Sequence, residues 1–327
     1  MRRRDVLKFL TGAVVAAPGR VVAQTPGKIY RIGTLTVGPP IPPTAGTGAL
    51  LVGGLAQRGF TLGQNLAYEA RGAAGKVSQM ANLMAELKAA NVDVVVTVGY
   101  PSATAAKASG VATVIASGSG DPVKTGLVAS LAHPGGNVTG ISDDAAALST
   151  KRLDYLKALS PQLRKVAMLW NKDDLGMSQR YDASAKAAQE IGVTVLPLGV
   201  REPDDFNEAF AAMDSNPPDA ILMVTDVLTL LNRKRVFDYA AAHGLPAIYE
   251  QDFMARDGGL MSYGADAKES FDRAAALAAQ IFQGAKPADL PFELPTRYLF
   301  VINMKTAKAM NLAVPPTVLA LADEVIE

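Results

Sequence analysis

The chain has 327 residues, 49% of them apolar and 19% charged, the composition of a globular protein that buries a sizeable core, and its length suits about two domains. Lysine and arginine number 32 against 31 aspartate and glutamate, a formal charge of +1, so no global field draws the molecule to nucleic acid or to an anionic membrane face. Cysteine is absent from the sequence, which excludes disulfides, thiolate nucleophiles, cysteine metal ligands and a lipid-bearing cysteine.

The chain opens on Met1-Arg2-Arg3-Arg4-Asp5, runs through an apolar stretch to Ala17, and reaches small residues at Val21-Val22-Ala23. A basic start, an apolar centre and a small-residue cleavage site are the three parts of a secretory signal. The paired arginines before Val6-Leu7-Lys8 fit the twin-arginine variety, with general secretory export as the alternative. Residues 1–23 are therefore expected to be a signal peptide cleaved near Ala23, giving a periplasmic protein that is not a lipoprotein. The stretch 6–17 contains Lys8 and falls short of the roughly 18 to 20 apolar residues that cross a bilayer. It predicts no permanent anchor.

Beyond the leader, apolar runs bounded by turn residues alternate with stretches of helical period, the mark of βαβ units. Strands are predicted at 29–36, 65–70, 92–98 and 112–116, with helices at 47–57, 77–90 and 102–108 between them, which makes a first parallel sheet of four strands. The segment 137–144 is Gly-containing and polar and reads as an exposed connection between domains. A second set follows: helices at 148–159, 177–191, 204–214 and 228–243, and strands at 165–170, 193–198, 220–225 and 247–249. It reads as a repeat of the first architecture. A strand at 258–263, an Ala-rich helix at 268–283, a strand at 297–302 and a helix from Asn303 complete the chain. The expected fold class is α/β, with two doubly wound parallel-sheet lobes joined by a three-crossing hinge. The expected lobes are 28–141 plus 264–296 and 142–263 plus 297–327. In such sheets ligands settle beyond the carboxyl ends of the strands.

Catalytic patterns are scarce. His133 and His243 are the only histidines, each beside turn residues, so metal ligation by histidine is not expected. Ser117-Gly118-Ser119-Gly120 lacks the spacing of a nucleophile elbow. The run 118–125 carries Pro122 and no glycine before Lys124-Thr125, and Gly46-Thr47-Gly48 lacks a third glycine, so neither is a nucleotide-binding motif. The carboxylate pairs Asp143-Asp144, Asp173-Asp174 and Asp204-Asp205 lie in turns or at helix starts, where capping accounts for them. No catalytic residue, metal or cofactor is assigned.

Several segments, in order, resemble the substrate-binding proteins of ABC transporters, in the branch that includes tryptophan- and tyrosine-binding proteins. They are Arg31-Ile32-Gly33-Thr34-Leu35, Gly63-Gln64-Asn65, Gly120-Asp121-Pro122-Val123, Gly126-Leu127-Val128-Ala129-Ser130-Leu131 and Pro134-Gly135-Gly136-Asn137-Val138-Thr139-Gly140. Lys151-Arg152-Leu153, Gly258-Gly259-Leu260-Met261-Ser262-Tyr263-Gly264, Gly284-Ala285-Lys286-Pro287 and Val301-Ile302-Asn303-Met304-Lys305-Thr306 extend it to the whole mature chain. The resemblance implies a type I periplasmic binding fold that captures a small organic solute, an amino acid or aromatic carboxylate, by hinge closure. It implies no catalysis, a monomer, and an inner-membrane ABC permease as partner. A sensory protein serving a receptor and an exported enzyme on the same scaffold are the alternatives. Turnover of the bound compound would single out the enzyme.

The resemblance places ligand contacts on the strand-end loops. Tyr100, Pro101, Ser102 and Ala103 open a helix whose free N–H groups suit a carboxylate; Ser102 reads equally as a cap. Gly118 and Asp121 follow the fourth strand, with Asp121 also readable as a cap. Thr36, Ser142, Asn171 and Asp226 end strands or mark the crossing, and Tyr249 and Tyr263 offer a ring face and a hydroxyl. Three features depart from the family pattern: Tyr100, where Gly-Thr-Pro is commoner, the apolar run 47–55, and Val227, where proline is common.

Overall fold

The computed structural model describes residues 27–142 and 144–327, so the expected signal peptide and Asp143 lie outside the described residues. The first sheet is entirely parallel. Its strands and covering helices alternate as β1 (Tyr30–Thr36), α1 (Gly46–Ala56), β2 (Leu66–Gly72), α2 (Met80–Ala89), β3 (Val94–Val98), α3 (Tyr100–Ser109), β4 (Thr113–Ser117) and β5 (Val138–Gly140). The strand order is β2-β1-β3-β4-β5.

β5 corrects the sequence reading, which took 137–144 as an exposed connection and counted four strands. Val138 and Thr139 are buried, and Val138–Gly140 pairs in register with Thr113 to Ile115 of β4. A Cβ at Gly140 would lie 2.3 Å from the Ile115 carbonyl oxygen, so glycine is there for close backbone approach. Composition alone made that glycine look like a linker residue.

The second sheet is larger. It receives α4 (Ala145–Leu159), β6 (Lys165–Asn171), α5 (Leu175–Glu190), β7 (Thr194–Val200), α6 (Asp205–Ser215) and β8 (Ala220–Met223). Then come α7 (Val227–Leu231), α8 (Arg233–Ala242), β9 (Ala247–Tyr249), α9 (Asp252–Arg256) and β10 (Met261–Ala265). After α10 (Ala267–Phe282) the chain finishes with β11 (Tyr298–Asn303), α11 (Met304–Ala309), α12 (Pro316–Leu319) and β12 (Glu324–Ile326). The order is β12-β11-β10-β9-β8-β6-β7, with β11 antiparallel to β10. It is therefore not a copy of the first sheet. The helix expected at 228–243 breaks at Asn232, whose amide side chain donates to the Leu228 carbonyl, and α9 and β12 had no counterpart in the sequence reading.

The chain crosses between sheets after β5, after β10 and again before β11. The expected cut at 264 falls inside β10, which stays with the second sheet to Ala265. α10 returns to the first sheet and packs on α1, where a Cβ on Gly54 would sit 2.8 Å from the Ala275 Cβ. The small-residue run at 47–55 is thus a helix–helix contact surface. Tyr30, Phe60 and Phe282 close the end of that core with ring centroids 4.9 to 5.0 Å apart. Each sheet carries buried apolar residues on both faces, as doubly wound sheets require.

Candidate functional site

The parallel strands of both sheets direct their carboxyl ends at one cleft, and the two sides touch at its borders. On one side a Cβ on Gly38 would come 3.8 Å from Val227, and one on Gly75 would come 3.8 Å from Leu231. On the other, the Asp121 N–H donates to Gln179 Oε1 at 3.2 Å. A Cβ on Gly120 would sit 2.7 Å from the Gly176 Cα.

On the first sheet, β3 ends at Gly99, whose φ of 91° lets the chain turn directly into α3. Gly118, with φ 80°, brings the loop after β4 against it: a Cβ there would lie 3.0 Å from the Gly99 nitrogen. The N–H groups of Tyr100 and Ser102 head α3 without intrahelical acceptors, and Pro101 between them has none to offer. Ser102 itself is fully buried, and its hydroxyl donates back to the carbonyls of Val98 (2.6 Å) and Gly99 (2.8 Å). In this structure its hydroxyl is therefore turned onto its own backbone and does not cap the helix. Ala103 is equally buried, in the core around Ile115 and Leu127, so its methyl does not reach the cleft.

Thr36 accepts from the Gly38 N–H at 3.1 Å and shapes the end of β1. Asp121 turns its carboxylate on its own loop, accepting from the N–H groups of Val123 (3.0 Å) and Lys124 (3.1 Å). No helix follows for it to cap: residues 121–127 form turns, which this carboxylate holds. Ser142, at the first crossing, is held by its N–H to the Glu293 carbonyl at 2.8 Å.

On the second sheet Asn171 and Asp226 meet, the Asn171 amide donating to Asp226 Oδ2 at 2.6 Å. Asp226 also caps α7, accepting from the Thr229 N–H at 2.9 Å, so its carboxylate is fixed in direction. Tyr249 is placed differently from the sequence expectation. It is fully buried against Phe237 and Gly259, and burial raises its hydroxyl pKa well above the ordinary value. The Tyr263 ring joins Tyr155, Tyr298 and Phe300 in an aromatic cluster, and its carbonyl accepts from Arg152 Nε at 2.8 Å.

Behind Asn171 and Asp226 stands a charged network that sequence reasoning did not assign. Glu250, 2% exposed, receives Arg152 at 2.9 Å and Arg180 at 2.5 Å, and its Oε2 accepts the Thr225 N–H at 3.0 Å. The last contact fixes the residue preceding Asp226. Asp174, 6% exposed, caps α5 through the Met177 N–H at 3.2 Å. Burial, reinforced by the charge of Asp226, pushes its carboxyl up to about 6. Arg152 lies in the Lys151-Arg152-Leu153 segment, and a cation on the packed face of a helix was the available hint that a buried acid awaited it. Among the described residues no cluster of histidine, aspartate and glutamate has the arrangement of a metal site.

Two parallel-dominated α/β sheets with opposed carboxyl edges and a chain that crosses repeatedly between them define the type I periplasmic binding fold. The chain belongs to the ABC transporter substrate binding protein family, whose model matches residues 48–326. It is similar to the Tyrosine-binding protein of Clostridioides difficile (strain R20291), 25% identical over 259 residues, which cover 79% of this chain and 74% of that protein. Among solved structures it is similar to an ABC domain from Streptococcus pneumonia in complex with L-Trp. That match has a TM-score of 0.82 and 25% identity and covers 91% of this chain and 100% of the other. The ligand-free, open structure of a substrate binding protein with adhesive properties from Clostridium difficile matches with a TM-score of 0.65. The identity there is 22%, over 91% of this chain and 99% of that one.

Proposed function

We propose that this protein captures an amino acid, with an aromatic side chain as the leading class, in the cleft and delivers it to an ABC permease for import. The supporting observation is the opposed polarity of the two cleft walls. The α3 N-terminus presents N–H groups and the positive end of a helix dipole to a carboxylate. Across from it, Asp226, oriented by Asn171 and Thr229, presents a fixed acceptor to an ammonium group. A zwitterion matches both. Tyr100, half-buried at the head of α3, offers a ring beside that carboxylate subsite.

The lobes that move are 28–141 with 266–296 and 142–265 with 297–327, and the leader 1–23 directs export to the periplasm, where the mature protein acts as a monomer. Ligand contacts to both walls favour the closed arrangement over the open one, which gives the permease a loaded shape to recognise. Among the described residues no helix is long and apolar enough to cross a membrane.

The test is a thermal-shift screen of amino acids and aromatic acids, followed by calorimetry and mass analysis of the recovered ligand. L-tyrosine or L-tryptophan is expected to raise the melting temperature by mass action and to be recovered unchanged. A recovered compound that has been chemically altered contradicts the reading. Replacing Arg3 and Arg4 by lysine is expected to block export, read by fractionation; unimpaired export would remove the twin-arginine assignment.

A further inference from the structure

The cleft closes on one border through a contact between two glycines, and neither belongs to the set of residues that hold the proposed ligand by side chain. Gly120 has φ 68°, a conformation suited to glycine, and an added Cβ would lie 2.7 Å from the Gly176 Cα and 3.2 Å from its carbonyl oxygen. Conversely, a Cβ on Gly176 would lie 3.1 Å from the carbonyl carbon and oxygen of Ser119 and 3.2 Å from the Gly120 nitrogen. These are backbone atoms and cannot swing aside. Gln179, one turn beyond Gly176 on the same face of α5, accepts the Asp121 N–H at 3.2 Å across the same border. Ser119 is left with no exposed surface beneath the contact.

Gly176 is the informative partner because its own helix gains nothing from it. It lies in the first turn of α5 with ordinary helical backbone, where alanine is the better residue. Glycine there costs helix stability. It makes sense where a loop from the other lobe must approach to backbone contact, and the atoms nearest a Cβ there are backbone atoms of Ser119 and Gly120.

We infer that Gly120, Gly176 and Gln179 form a closure clasp that sets ligand affinity from outside the ligand's own contacts, by fixing how far the lobes can shut. This rests on the solute-capture reading above and adds to it residues that act through domain position. The likeness to the L-Trp complex, higher than to the ligand-free, open relative, agrees with a structure caught in the shut arrangement.

The test exploits the opposite signs expected for stability and affinity. Gly176→Ala removes a helix-disfavoured residue, so its ligand-free melting temperature is expected to equal or exceed the parent's by about 1 to 2 °C. The same change blocks full closure, so affinity for L-tyrosine or L-tryptophan is expected to fall about tenfold or more. Gln179→Ala, which adds no bulk, is expected to weaken binding only a few-fold. A ligand-independent readout comes from spin labels on Lys124→Cys and Lys186→Cys, exposed positions in a chain with no other cysteine. The parent is expected to populate a short interlabel distance that Gly176→Ala loses. Parent-like affinity and label distances in Gly176→Ala would overturn the clasp, as would a fall in its ligand-free melting temperature, or a parent with no short distance in any condition. Should neither amino acid bind the parent, the ligand class proposed above fails, while the label distances still decide the clasp.

Discussion

Asp174 is a buried acid beside a second acid, and its protonation couples the site to stability. Its carboxyl titrates near 6 in the fold, against an ordinary value of 3.8, chiefly through burial and then through Asp226, with the Met177 and Gly176 N–H groups and Arg180 opposing. The folded state therefore holds this proton more tightly than the unfolded chain. The stability it contributes is fully present below about pH 4 and is lost as pH rises through about 6, on the order of 3 kcal/mol by neutral pH. Asp174→Asn keeps a capping acceptor and removes the charge. It is expected to flatten the melting temperature profile between about pH 4 and pH 7 and to exceed the parent at pH 7.5; parallel profiles would contradict this. Asp226→Asn likewise keeps the cap, and calorimetry is expected to show amino-acid affinity down by about 10- to 100-fold, with melting temperature held within about 2 °C. The positions of Asn171 and Asp226 at strand ends were legible in the sequence because Asn171 ends the apolar strand β6 and Asp226 follows the apolar run 220–224 that contains β8. Tyr249 was not, because β9 has only 3 residues, too short a run for alternation to show which side chain turns inward. The buried ring is Tyr249 and the network acid is its neighbour Glu250.

Among elements, the helix contact and the ion network carry distinct consequences. α1 reads as an unusually small-residue helix, and the reason lies on α10, against which Gly54 packs without a side chain. Gly54→Val is expected to lose about 1 to 3 kcal/mol by overpacking, seen as a lower urea midpoint with unchanged slope. Glu250 joins α4, α5 and the ends of β8 and β9 through Arg152, Arg180 and the Thr225 N–H. Glu250→Gln leaves two buried guanidinium groups without their carboxylate and is expected to cost about 3 to 5 kcal/mol. Full stability in that variant would show the network to be dispensable. The regular βαβ elements were readable because hydrophobic period and turn residues agree. β5 and β12 were not, since each is 3 residues long and is specified by its sheet neighbour more than by its own sequence. The partner of α10 was likewise invisible, because helix contacts between distant segments leave no local period.

At the scale of the whole molecule, two sheets are assembled with their carboxyl edges opposed, the α3 N-terminus on one side and Asp226, held by Asn171 and Thr229, on the other. In the function proposed above, such a construction binds by changing the relation of its halves about a hinge. The family, the fold class and the facing of strand ends could be read from the chain; the contacts that border the cleft could not, because they join segments more than 50 residues apart, as in the approach of Gly120 to Gly176 and the Asp121 to Gln179 hydrogen bond. Small-angle scattering of the mature protein, with and without saturating L-tyrosine or L-tryptophan, addresses that motion directly. The account predicts a larger radius of gyration without ligand and contraction to the dimensions of the present structure with it; identical scattering in the free and saturated states would contradict it.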